Sequence, residues 1–317
     1  MHASTYRLPT LAVPLLLAVA VLGYLTGLHR TVTARSSVPP AAELRIASGS
    51  DVLLEYPVGW LQLSEDRPIP GLRLHHPLWL RSSGVGSPAG LEAGSLPGAA
   101  PSPLPPAILA RLQALPQVEV VSLAALQALR YPDVQLAGYP ERLELYAVPS
   151  PAGEEVVLAC HAPAASASLL HQCEQIVASL SLAGQSTSDV TPDPVYAQRL
   201  AALIAGLDGA RGQARATMSR AGDPGALARS SASLAAHFLL AVGSLARLEP
   251  PSVAGAAQVV LARSMVAAAG AYRRLSEAAL AGSASGYGSA RGQVGAAEQA
   301  VDGALENFAL LGYGTRS

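Results

Sequence analysis

The sequence predicts an α+β protein carried behind an N-terminal membrane helix. Three observations carry that prediction. Leu8 to Leu28 is a run of 21 residues without a charge. Residues 43–182 break into short strand-like runs separated by Gly, Pro and Ser. Residues 195–317 show apolar positions three and four apart, the period of helices that pack on one another.

The apolar run comes first. At about 1.5 Å per residue it spans roughly 30 Å as a helix, one bilayer core. It exceeds the apolar core of a secretory signal, although Val32, Thr33 and Ala34 would make a cleavage site after Ala34. Residues 1–30 therefore read as a transmembrane anchor and 31–42 as a linker. Arg7 and Arg30 flank the span almost evenly, so charge sets orientation weakly. The short tail ahead of the span favours a cytoplasmic N-terminus and an extracytoplasmic body.

Composition narrows the function. The net charge of the 317 residues is −1, and nothing in that balance suggests electrostatic capture of nucleic acid or anionic lipid. All 21 basic residues are arginine and the single asparagine is Asn307. Lysine and asparagine codons are AT-rich, so the chain reads as the product of a high-GC bacterial genome. The abundance of Ala, Gly and Pro follows from that bias.

From Glu43 the strands begin. Leu44–Ala47 and Val52–Tyr56 flank a turn at Gly49 to Asp51; Trp60–Leu63 and Leu72–Leu80 follow. Ser82 to Pro106 is rich in Gly, Ser and Pro and reads as a surface excursion. Ile108, Leu109, Leu112 and Leu115 have helical spacing. Val118–Val121 reads as a strand and Ser122–Leu129 as a short helix with Ser122 as its cap. Val134–Ala137, Arg142–Val148 and Glu155–Cys160 read as strands, the last two paired across Pro149 to Gly153. A helix from about Ala165 to Leu180 closes the unit, with Leu169, Leu170, Cys173, Ile176, Val177 and Leu180 as its apolar face.

Residues 43–182 resemble the photosystem II PsbP and Mog1-like superfamily. The carriers are Glu55, Tyr56, Pro57, Gly59 and Trp60 at the start, and the strand Val156–Cys160 with the closing helix running into Ser179, Leu180, Ser181 and Leu182 at the end. The resemblance implies an α/β/α sandwich around an antiparallel sheet and a mostly non-enzymatic binding or accessory module.

Residues 183–194 form a polar linker. Four helices then follow: about Asp193–Ala221, Pro224–Leu248 and Ser252–Ala281, then, after a break at Gly282 to Gly288, a fourth that runs to about Leu311 with Tyr287 on its apolar face. Pro250 and Pro251 stop the second. Their 3-4 spacing predicts an antiparallel four-helix bundle over 195–317, with many alanines along the seam. The turn Leu245, Leu248, Pro250, Pro251 is similar to one in bacterial envelope proteins.

Cys160 and Cys173 are the two cysteines, one ending a strand and the other inside the next helix. They read as a disulfide, worth roughly 3 kcal/mol for a loop of this size in an exported domain. With His161 and His171 they also make a set of metal-ligand types. His161 follows Cys160 directly on a strand and points to the other face, which argues against one shared metal. No cofactor is expected. Ala284 stands where a nucleophile elbow needs serine, and a chain without lysine has no Walker A loop. Glu298, Asp302 and Glu306 form an acidic stripe that reads as a solvated face, or as a dock for a basic partner. The function expected is non-enzymatic: an anchored extracytoplasmic binding or scaffolding protein with a protein partner. The alternative is an envelope carrier of a small molecule, lipid or metal.

Overall fold

The computed structural model describes residues 43–49, 51–83, 89–96, 100–149, 154–183 and 188–314. The apolar segment 8–28 and the linker 31–42 lie outside them. So do residues 150–153 and parts of the Ser82–Pro106 and 183–194 segments. Among the described residues the fold is mixed α+β, with antiparallel sheets and six α-helices.

Ten strands form two sheets. The larger sheet contains β3 (Trp60–Leu63), β4 (His75–Ser82), β5 (Gly90–Leu96), β6 (Glu119–Leu123), β7 (Leu126–Val134), β8 (Arg142–Pro149) and β9 (Glu155–Ala162). Their spatial order is β3-β4-β5-β9-β8-β7-β6, and every pair is antiparallel. The smaller sheet is β1 (Leu44–Ser48), β2 (Val52–Pro57) and β10 (Ser181–Leu182), in the order β1-β2-β10. A single helical turn, α1 (Pro106–Leu109), and the helix α2 (Ala167–Val177) belong to this half of the chain.

Strand alternation separates two cores. On one face Leu78, Leu80, Leu91, Tyr146, Leu158 and Cys160 meet α2 and the small sheet through Ile176, Val177, Val52 and Leu54. Trp60 is buried there, and its indole N–H donates to Gln172 Oε1 at 3.3 Å. On the other face Leu129, Tyr131, Leu143, Leu145, Val157 and Ala159 join Ile69, Leu104 and Ile108. That second core runs without a break into the helical array.

The array is α3 (Pro194–Arg220), α4 (Pro224–Leu245), α5 (Gly255–Leu280, after a 3-10 turn at Ser252–Ala254) and α6 (Ala284–Leu310). Asp193 and Asp223 each cap a helix that begins with proline, accepting from the Tyr196 and Ala226 backbone N–H groups at 2.6 and 2.8 Å. Each helix packs on the next, and α3 returns to α6 through ion pairs. Leu234, Phe238, Leu261, Met265, Tyr272, Val301 and Phe308 fill the interior. At the sheet end Tyr313 lies edge to face against both Tyr196 and Phe308. The Tyr131 hydroxyl donates to the Leu310 carbonyl at 2.8 Å. Sheet and array therefore share one core.

Three sequence expectations are corrected. Ser82 to Pro106 is not wholly a surface excursion, because Gly90–Leu96 is the buried strand β5 between β4 and β9. Its small residues let neighbouring chains come close: a Cβ on Gly90 would lie 2.1 Å from His161 Nε2. Ser122–Leu129 is not a helix but the tight β6–β7 hairpin, turning at Ala124 with φ +51°. The helical spacing of Ile108 to Leu115 yields only the one turn Pro106–Leu109, followed by a bridge from Leu112 to Leu136.

Candidate functional site

The core-side face of β4, β5 and β9 carries a concentration of polar groups that strand alternation alone assembles. Trp79 pairs with Glu92, which pairs with Ala159; Arg81 pairs with Gly90, which pairs with His161. Odd positions of β4 and β9 and even positions of β5 thus share one face. One row holds Trp79 and Glu92. The next, about 7 Å along the strands, holds Arg81 and His161 across the notch left by Gly90.

Each side chain has a defined setting. Arg81 pairs with Asp66 from the β3–β4 connection. His161 is buried, with Nδ1 2.5 Å from Glu141 Oε2 and its ring edge-on to Tyr139 at 6.5 Å. Glu92 is 4% exposed. Burial pushes its carboxyl up to about 7, against the lowering effect of the Ile69 backbone N–H and the nearby Trp79 indole, with Asp66 adding to the rise. Even so, Glu92 Oε2, Trp79 Nε1 and Arg81 Nε make no geometrically sound hydrogen bond. A carboxyl held near 7 can give or take a proton at neutral pH. Its neighbours are a histidine fixed by a glutamate and an arginine neutralised by an aspartate. Further along β9, Glu155 is also buried, its Oε1 is unpartnered, and burial pushes its carboxyl well above the ordinary range.

A second cluster sits on the α2 side. Arg130 of β7 pairs with Glu144 of β8, with Glu119 of β6 at 3.0 Å and with Glu174 of α2 at 2.5 Å. The Tyr146 hydroxyl donates to Glu144 at 2.9 Å. One guanidinium here ties three strands to the covering helix.

The residues singled out from sequence separate cleanly. Cys160 and Cys173 are joined by a disulfide, both fully buried, with Cα atoms 5.9 Å apart. His161 lies on the opposite sheet face from Cys160, engaged with Glu141. His171 lies on the exposed side of α2, 3.0 Å from Glu174. The two histidines are not brought together. The acidic stripe is only partly a solvated face. Glu298 is largely buried and accepts from the Tyr272 hydroxyl at 2.6 Å, and Arg211 and Arg215 of α3 pair with it. Asp302 pairs with Arg211 at 3.0 Å. The basic partner of Glu298 and Asp302 is this chain's own first long helix. Sequence reasoning missed Glu92, Trp79, Arg81 and Asp66 as a group. The one available signal was a glutamate within a small-residue run, Gly90-Leu91-Glu92-Ala93-Gly94, which reads as loop unless the strand is known.

No known protein family, characterised protein or solved structure matches this chain.

Proposed function

We propose that the chain is a non-enzymatic, membrane-tethered protein whose body works outside the cytoplasm as a binding or scaffolding module for a protein partner. In this reading residues 43–182 form a PsbP-like sandwich, residues 195–317 form a four-helix bundle, and Leu8–Leu28 is the anchor. The observation that carries the proposal is the Cys160–Cys173 disulfide. It links the central strand β9 to its covering helix inside the core, and such bonds persist in oxidising compartments. A body in which sheet and helices share one core suits a module that presents a surface.

The test is the intact mass of native protein taken from membranes, with thiol alkylation before and after reduction. A mass beginning at Met1, with both cysteines protected until reduction, supports the tethered, exported reading. Free labelling without reduction overturns it. A partner is then sought by photo-crosslinking or carboxylate-reactive reagents, because a chain without lysine gives amine reagents only its N-terminus.

A carrier role is the second reading. It is favoured by a cleft of about 350 Å³ at the turn end of the array, between the α3–α4 and α5–α6 connections, lined by Leu227, Ala278, Ala279 and Tyr287. Native mass spectrometry showing a bound small molecule that Tyr287→Ala removes would move this reading ahead.

A further inference from the structure

The outer side of the α4–α5 pair carries large apolar side chains that the body's own packing leaves uncovered. Both helices are long and apolar enough, by length and composition, to cross a membrane, although one side of each is committed to the core. Their outward residues include Leu239 and Leu240 on α4, 53% and 69% exposed, and Val259 and Val266 on α5, each 49% exposed. These residues are neighbours. The Ser276 hydroxyl donates to the Ala228 carbonyl, and the Gln258 amide donates to the Leu245 and Leu248 carbonyls, which fixes the pairing of the two helices. In that pairing Leu239 and Leu240 fall level with the stretch between Val259 and Val266. Leu239 is eleven residues, close to three turns, beyond Ala228, so it lies on the flank nearest α5. Val259 and Val266 are two turns apart and share one flank.

Charge on this surface has a single sign. No Asp or Glu occurs between Asp223 and Glu249, or between Glu249 and Glu277. Over the same stretches Arg229, His237, Arg247, Arg263 and Arg273 are all exposed. Among the described ion pairs, none involves these four arginines. An apolar strip edged by arginines and free of carboxylates complements one kind of surface, an anionic lipid interface. There apolar side chains enter the headgroup layer and guanidinium groups meet phosphates. The chain between Leu28 and Glu43 reaches at most about 50 Å when fully extended. A tethered body would therefore stay within reach of the bilayer.

We propose that the outer face of α4 and α5, centred on Leu239, Leu240, Val259 and Val266, docks on the anionic surface of the membrane. This rests on the tethered reading above. The body would then lie on the bilayer rather than stand off it, leaving the sheet side for a partner.

The experiment places the full chain in lipid nanodiscs, either of phosphatidylcholine alone or of an equal mixture with phosphatidylglycerol. An environment-sensitive fluorophore is attached at Leu240→Cys, and at Val120→Cys on β6 as the reference. Shallow doxyl-labelled lipids serve as quencher. The expected result is quenching and a blue shift at position 240 in the anionic discs, reduced by high salt and by phosphatidylcholine alone, with position 120 unaffected. Neutralising Arg247, Arg263 and Arg273 to glutamine lowers the docked population, by about fivefold for each arginine. Water-like emission at position 240 in both discs overturns the proposal, and so does equal quenching at position 120. A blue shift at 240 without doxyl quenching also overturns it, since a second copy or a protein would then cover the face. A chain that does not stay with the disc sinks the tether instead, and the same probe read on anionic vesicles then decides the face.

Discussion

The sheet and the helical array each bury carboxylates, and they treat them in opposite ways. In the array, burial pushes the Glu298 carboxyl up, but the Tyr272 hydroxyl, Arg215 and Arg211 together outweigh it, and the net shift is downward. In the sheet, burial dominates at Glu92 and Glu155, and no cation reaches either closely enough to compensate. The same residue type is thus stabilising when ionised in one half of the body and destabilising when ionised in the other. Between Glu298 and Glu92 partner supply makes the difference, whereas at Glu144 of the sheet burial outweighs even the Arg130 pair. Two helices can bring long arginines from α3 onto a glutamate of α6. A strand in the middle of a sheet has its neighbours set by register, and Glu92 faces Trp79 on one side and Ala159 on the other.

The largest effect expected is at Arg211. Replacing it with methionine leaves Glu298 largely buried with fewer partners and should destabilise the body by about 3–5 kcal/mol in urea unfolding. A change under about 1 kcal/mol would show that Glu298 finds water instead. Tyr272→Phe should lose only about 1 kcal/mol, since it removes one hydrogen bond.

The second prediction concerns pH and separates the two regions directly. Glu92 has a folded-state pKa near 7 against an ordinary 4.5, so the folded state holds more protons between those values. Its contribution is fully present below about pH 4.5, falls as pH rises to about 7, and is flat above. The loss is on the order of 3 kcal/mol. Glu298 runs the other way: its contribution is present above the ordinary carboxylate range and is lost on acidification. Stability measured from pH 4 to 8 in Glu92→Gln should fall less steeply than in the parent chain, with the remaining slope left to groups such as Glu155 that burial also raises. An unchanged slope would assign the loss to another group.

Removing the disulfide by Cys160→Ala with Cys173→Ala should cost about 3 kcal/mol, the entropy released by opening a short loop. The smallest effect expected is a gain. Ala124 turns the β6–β7 hairpin at φ +51°, a conformation glycine adopts without strain. Ala124→Gly should stabilise by about 1 kcal/mol. A loss there would mean that unfolded-state entropy outweighs the relief.

Ala124 also explains part of what the sequence hid. A hairpin that turns through Ala-Ala lacks the Asn-Gly or Asp-Gly signal, so Ser122–Leu129 reads as helix by residue preference. β5 was hidden by the opposite bias, because Gly90, Ala93, Gly94 and Ser95 look like loop and are chosen for close approach between β4 and β9. The candidate site went with it, since Glu92 has no meaning until β5 is placed between its neighbours. The long helices were legible to within a few residues, because periodicity and the Pro250-Pro251 stop agree. Arg211 was not: a charged residue reads as exposed until Glu298 and Asp302 are brought opposite it.

The local rules settled what depends on neighbours in the chain. They gave the four long helices, the β8–β9 pair, the disulfide partners and the opposed faces of Cys160 and His161. Each follows from helical or strand period over a few residues, or from a loop too short to offer another pairing. Tertiary structure alone decided which polar groups are buried together. It set Glu92 beside Trp79, gave Glu298 its arginines, and merged sheet and array into one core through Tyr131 and Leu310. Those contacts join residues tens to hundreds of positions apart. Their free energy comes from desolvation and partner geometry, which exist only once the chain has closed around them.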